Sequence, residues 1–131
     1  MTVAYQVLKK GTLLIPSGPP PDPDTKPLFV VCSDAGADGR HLLVPINSWT
    51  NDLCDSTCRL AAGVHDFVTR PSYVFYRKAT IEPATALVRG VNESVFFPRD
   101  PMDGQTFLRI LSGICQSPQT PRKIKLYKGC P

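Results

Sequence analysis

Proline is the feature that most limits how this chain can fold. Its 131 residues include 14 prolines, and several of them are clustered. Proline lacks a backbone N–H donor and has a fixed φ, so it is excluded from helix interiors and central strands. Four of the prolines lie between Ser17 and Thr25, which predicts an exposed hairpin loop there. The pattern favours short strands joined by stiff loops over a helical bundle.

The composition is that of one globular domain. Hydrophobic residues make up 42% of the chain and charged residues 20%, both ordinary values. The net charge of +4 permits an RNA or acidic partner without requiring one. No apolar run approaches the ~20 residues that span a bilayer, and Lys9 and Lys10 follow the apolar start, unlike the charges of a secretory signal. We therefore expect a cytoplasmic protein without a membrane segment.

The five cysteines predict neither a disulfide framework nor a metal site. Their number is odd, which argues against a closed set of disulfides. Cys54, Cys58 and His65 would supply three metal ligands, whereas structural zinc usually takes four. Cys32 and Cys115 lie in apolar segments, where cysteine behaves as a small hydrophobe. We expect reduced thiols, no metal and no cofactor.

The apolar segments predict a β-rich, antiparallel fold. Three short runs joined by local loops open the chain and favour a meander. A later run, rich in aromatic and β-branched residues, is the strongest predicted strand. We expect strands at Thr12–Ile15, Leu28–Cys32, His41–Ile46, Ser72–Ile81 and Asn92–Phe97.

One amphipathic helix is predicted near the C-terminus. Asp103 is a suitable N-cap, and apolar residues recur at helical spacing from Phe107 to Ile114, with Gly113 as a weak point. Residues 118–131 form a basic, proline-containing tail, which could be a strand, a disordered arm or an RNA-contacting arm, with a solvated tail favoured. The predicted fold is a small, mainly β antiparallel barrel with a C-terminal helix, occupying residues 1–117.

Short segments resemble the PemK/MazF-like toxin family. The order of Gly11–Leu14, Lys26–Val31 and Leu43–Ser48 resembles the family's Gly-acidic-aliphatic, Arg-Pro-aliphatic and Pro-Ile-Thr strands. Arg70–Val74 and Ala79–Ile81 resemble the segment that leads into its long strand. The resemblance implies an SH3-like barrel that forms a homodimer, cleaves single-stranded RNA without a metal, and is held inactive by a cognate antitoxin.

The chain departs from the family pattern at three positions. Thr12 replaces an acidic residue, Lys26 the catalytic arginine, and Asn47 the threonine after Pro-Ile. Lysine keeps the charge but loses the two-point grip of arginine on phosphate, and asparagine forms hydrogen bonds but has no hydroxyl. The catalytic set is therefore altered or moved.

Cleavage through the ribose 2′-OH needs a base, an acid and cations around the phosphorus. His65 is the natural base or acid because imidazole titrates near neutral pH, although a histidine after a glycine and before Asp66 is often only a turn residue. Lysine and arginine can clamp the phosphate. The candidate catalytic residues are His65, Lys26, Arg70, Arg77 and Ser72.

The candidate RNA-binding residues combine polar groups with aromatic rings. Rings stack on splayed bases, which is how single strands are commonly held. The set is Asn47, Ser48, Trp49, Tyr73, Tyr76 and Lys78.

Three functions are compatible with these residues. The first is a toxin-like endoribonuclease, and the second is a non-catalytic barrel of the same fold that binds RNA or a protein. The third is a toxin that acts on a protein target such as a topoisomerase, since related folds carry unrelated functions.

Overall fold

The computed structural model describes residues 5–16 and 27–131, which form one antiparallel sheet of seven strands with three α-helices. The sheet order is β4-β5-β3-β2-β1-β7, with β6 also paired to β3, and the path is not closed into a ring. The strands are β1 (Thr12–Leu14), β2 (Leu28–Val31), β3 (Arg40–Ser48), β4 (Arg59–Leu60), β5 (Ser72–Val74), β6 (Thr80–Pro83) and β7 (Phe97–Arg99). The helices are α1 (Ala84–Asn92), α2 (Gly104–Gln116) and α3 (Arg122–Lys128).

The predicted strand at Ser72–Ile81 is wrong, because a 3₁₀ turn at Tyr76–Lys78 divides it into β5 and β6. Both halves pair with β3, with Ile46 opposite Val74 and Leu43 opposite Thr80. Between these two pairs, β3 contributes two residues (44 and 45) and the segment that joins β5 to β6 contributes five (75–79). That segment therefore contains three residues more than the matching part of β3. Pro45 has no N–H to donate, and the ladder ends where the Phe75 N–H donates to the Pro45 carbonyl at 2.9 Å.

Each face of the sheet has its own core. The larger core joins alternate strand residues, such as Val30 and Val44, to α2 and α3. The smaller core joins Phe29 and Leu43 to Leu87 of α1. A strand covered on both faces reads as a continuous apolar run, which explains why β2 and β3 lack a regular alternation.

The helix predicted near the C-terminus is confirmed as α2. The Asp103 carboxylate accepts hydrogen bonds from the Gln105 and Thr106 N–H groups, both at 3.1 Å, and so caps its first turn. Residues Glu82–Arg89 contribute to β6 and α1. The edge strand predicted at Asn92–Phe97 is wrong in its bounds, since β7 begins at Phe97 and pairs with β1.

The C-terminal segment folds onto the domain rather than forming a solvated tail. Ile124 of α3 is fully buried in the larger core, and a disulfide joins Cys115 of α2 to Cys130. The expectation of reduced thiols is therefore wrong for this pair and holds for Cys32, Cys54 and Cys58. No helix within the described ranges has the length and apolarity needed to cross a membrane. The predicted loop at Ser17–Thr25 and Lys26 lie outside the described residues.

We expect Gly113→Ala to destabilise the protein, because a Cβ at this position of α2 would overlap the Tyr76 hydroxyl and ring. Tyr76 has no room to move, being fully buried with its hydroxyl donating to the Ile110 carbonyl at 2.7 Å. Overpacking of this kind costs about 1–3 kcal/mol, measurable by urea denaturation. Gly104→Ala is the control, since open space surrounds that position. Equal stabilities of the two variants would contradict the packing described here.

We expect the double variant Cys115→Ala/Cys130→Ala to lower the free energy of unfolding by about 3 kcal/mol, as estimated for closing a loop of this length. The two cysteines are 15 residues apart in sequence. Denaturation with and without a thiol reductant measures the effect. The reductant should lower the stability of the wild type and leave the variant unchanged. An insensitive wild type would contradict a disulfide in solution.

Candidate functional site

A pocket of about 590 Å³ opens on the face of the sheet that α1 covers. Its wall is mostly apolar and is built from the strands, the 3₁₀ turn, α1 and the segment before β7. The apolar lining residues are Ile15, Pro27, Phe29, Pro45, Phe75, Ala86, Leu87 and Phe96. The polar lining residues are Asn47, Lys78, Thr80 and Glu82. A concave apolar site with a few convergent polar groups is typical of ligand-binding pockets.

The pocket brings together an ammonium and a carboxylate. No described residue forms an ion pair with Lys78, and the ion pair found within the described ranges joins Arg40 to Asp38 at the surface. The Thr80 hydroxyl donates to Glu82 Oε1 at 2.7 Å. Neither Lys78 nor Glu82 therefore forms an ion pair with any residue in the ranges that the structure describes.

An aromatic row, defined as Trp49, Tyr73 and Phe75, leads to the pocket. The Trp49 and Tyr73 ring centroids are 5.8 Å apart and those of Tyr73 and Phe75 are 5.7 Å apart, both pairs in edge-to-face contact. The Arg59 guanidinium lies over the Trp49 ring, 3.9 Å from its centroid. The pairing of β3 with β5 sets Asn47 opposite Tyr73, so the row and the pocket are continuous.

Most of the predicted RNA-binding residues lie in or beside these two features. Asn47 and Lys78 line the pocket, Trp49 and Tyr73 belong to the aromatic row, and Ser48 follows Asn47 at the exposed end of β3.

Two tyrosines do not fit the prediction that they stack on bases. Tyr73 belongs to the aromatic row but is only 7% exposed, and Tyr76 lies outside both features. The Tyr76 ring is fully buried in the larger core, and burial raises the pKa of its hydroxyl. In one continuous strand Tyr76 and Lys78 would lie on the same face, but the 3₁₀ turn at Tyr76–Lys78 breaks that alternation and separates them.

His65 is occupied by the backbone. Its Nδ1 accepts the Phe67 N–H at 3.1 Å, so the proton resides on Nε2, which donates to the Asp100 carbonyl at 2.6 Å. The Thr12 hydroxyl donates to the same carbonyl at 2.7 Å. The ring is only 7% exposed. His65 therefore ties its loop to the chain after β7, and both of its ring nitrogens are hydrogen-bonded to backbone groups.

The other predicted catalytic residues are not assembled around it. The Ser72 hydroxyl donates to the Arg70 carbonyl at 2.8 Å and is buried. Arg70 and Arg77 are exposed and do not line the pocket. Lys26 is outside the described residues, but the adjacent Pro27 lines the pocket.

Sequence reasoning weighed Cys54 only as a metal ligand and missed it as a reactive group. It is a partly exposed thiol beside the aromatic row. Thr50 Oγ1 lies 3.4 Å from its sulfur. This hydroxyl, followed by the backbone N–H groups of Asn51 and Thr50, lowers the pKa of Cys54 to about 7. Burial, and then the neighbouring thiol, raises the pKa of Tyr73. The sequence feature that could have indicated a reactive thiol is the turn from Thr50 to Cys54, which begins with a hydroxyl side chain and ends with the cysteine.

Sequence reasoning also missed Glu82 and Phe29 as pocket residues. Glu82 shares a strand face with Thr80 by the two-residue period of β6, while Phe29 is hidden inside a continuous apolar run.

Comparison with known proteins does not assign the site. No protein-family model and no curated protein matches this sequence. Within the described part of the chain, no group of three His, Cys, Asp or Glu side chains is arranged to hold a metal ion.

We expect the alkylation rate of Cys54 by iodoacetamide to rise with pH through a midpoint near 7, because the thiolate is the nucleophile. Thr50→Val should move the midpoint upward, since it removes the hydroxyl that stabilises the thiolate. Mass spectrometry of native protein should find one rapidly modified thiol, because Cys32 and Cys58 are buried and burial raises the pKa of both. A midpoint unchanged by Thr50→Val would contradict this assignment.

Proposed function

We propose that this protein binds single-stranded RNA in the pocket and against Trp49 and Phe75, the two partly exposed rings of the aromatic row. The observation that carries the proposal is the pocket itself, which joins Lys78, a cation with no ion-pair partner among the described residues, to the rings of Phe29, Phe75 and Phe96. Single strands are held in this way, with cations on the phosphates and rings against the bases. The Asn47 amide adds a donor and an acceptor for a base edge.

The resemblance to the PemK/MazF-like family supports RNA as the ligand. The family's reactive positions correspond to Lys26 and Asn47. Pro27, which follows Lys26 and directly precedes β2, lines the same pocket as Asn47 of β3. The SH3-like barrel, the homodimer, the cognate antitoxin and the cytoplasmic location implied by the resemblance belong to the same proposal.

Metal-independent cleavage of the bound strand is the second candidate. It is favoured by the position of Lys78, which lines the same pocket as Asn47 and Pro27 and could stabilise negative charge at phosphorus. The catalytic set would then differ from the predicted one, because His65 and Ser72 are bonded to the backbone.

The test is the binding of a fluorescently labelled, mixed-sequence single-stranded RNA, followed by anisotropy with chelator present. Lys78→Ala should weaken binding roughly tenfold, the size expected when a charge-assisted contact is lost. Lys123→Ala is the matched control, since it removes the same charge from α3, whose Ile124 packs in the core of the opposite face. The control should change binding less than about twofold.

Three other outcomes separate the candidates. Equal losses of RNA affinity in the two lysine variants would mean that binding reflects only general electrostatic attraction to the protein. Absence of binding would overturn the proposal in favour of a protein target. Discrete fragments ending in 2′,3′-cyclic phosphate, absent with Lys78→Ala, would establish cleavage.

A further inference from the structure

Glu82 is the pocket residue that RNA binding alone does not explain. Glu82 lines the same cavity as Lys78, and no described cation forms an ion pair with its carboxylate. Its Oε1 accepts the Thr80 hydroxyl at 2.7 Å, which orients the group. A carboxylate repels phosphate, so its presence in a pocket for a polyanion needs a specific ligand group.

The pocket's charges define what that ligand group must offer. An ionised carboxylate only accepts hydrogen bonds and an ammonium only donates them. A ligand that satisfies Glu82 and Lys78 together therefore carries N–H donors and acceptor atoms on one rigid frame. The apolar rings of Phe29 and Phe75 require that frame to have apolar faces, as a nucleobase does.

Guanine meets these conditions better than the other bases. Its pairing edge has two adjacent donors, N1–H and the N2 amino group, which match the two oxygens of a carboxylate. Its O6 and N7 are acceptors of the kind that lysine contacts. Adenine and cytosine offer one amino group beside a ring acceptor, and uracil offers one N–H between two carbonyls.

We propose that this pocket selects a guanine base, with Glu82 accepting from N1–H and N2–H and Lys78 donating to O6 or N7. The inference rests on the proposed RNA-binding function and names the base that the pocket takes. Guanine could be supplied by an RNA strand or by a free guanine nucleotide, which share this chemistry.

The test compares labelled oligonucleotides of about nine residues, within the usual span of a small single-strand site. One is oligouridylate, and the others carry a single central guanine, adenine or cytosine. The readout is the ratio of each affinity to that of oligouridylate, so that phosphate contacts cancel. Wild-type protein should favour the guanine strand by about fivefold or more, the lower range for a bidentate base contact.

Glu82→Gln is the variant, because glutamine keeps the size of the side chain but replaces one acceptor oxygen with a donor. The guanine ratio should fall below about twofold while oligouridylate still binds. Glu93→Gln is the matched control, since it removes the same charge at the exposed end of α1, and its guanine ratio should stay at the wild-type value.

Each remaining result has a distinct meaning. Binding of all strands with equal affinity would overturn guanine selection and leave the proposed function standing. A guanine preference that survives Glu82→Gln would overturn the role of Glu82. If no strand binds but guanosine monophosphate binds in a Glu82-dependent manner, the base assignment holds and the RNA-binding function fails. If neither binds, both fail.

Discussion

The structure depends on the pairing of β3 with partners along both of its edges. This nine-residue strand joins β2 on one side and β5 and β6 on the other. Pro45 sits within it and has no N–H, so the second edge cannot be one uninterrupted ladder. The 3₁₀ turn at Tyr76–Lys78 takes up the extra residues. One missing hydrogen-bond donor thereby explains the division of the longest predicted strand.

The same turn separates a core residue from one that lines the pocket. Tyr76 goes into the larger core and bonds the Ile110 carbonyl, which leaves room for only a glycine at position 113. Lys78, two residues later, lines the pocket beside Phe75. In a continuous strand these two side chains would share a face. The break therefore supplies the pocket with its cation while the packing of α2 is completed on the opposite side.

Histidine, serine and cysteine illustrate how surroundings decide the use of a reactive group. The nitrogens of His65 and the hydroxyl of Ser72 are taken by backbone groups, so both stabilise loops. The hydrogen bonds of Cys54 have a different effect, because a hydroxyl and N–H groups stabilise the thiolate form and so lower its pKa. Residue type alone ranked His65 first and passed over Cys54.

Sequence patterns alone predicted the β-rich class, the early antiparallel strands and the helix capped by Asp103, because these follow from apolar runs, prolines and local capping. They also singled out Asn47, Trp49, Tyr73 and Lys78. Features that depend on contacts between residues far apart in sequence could be read only from the three-dimensional structure. They are the division of the strand opposite Pro45, the burial of Tyr76, the hydrogen bonds of His65, the disulfide between Cys115 and Cys130, and the presence of Lys78, Glu82 and Phe29 in one pocket. The spacing of apolar residues along a strand or helix indicates which face each residue takes. Which residues it contacts on that face depends on strand register and on how the loops bring distant segments together.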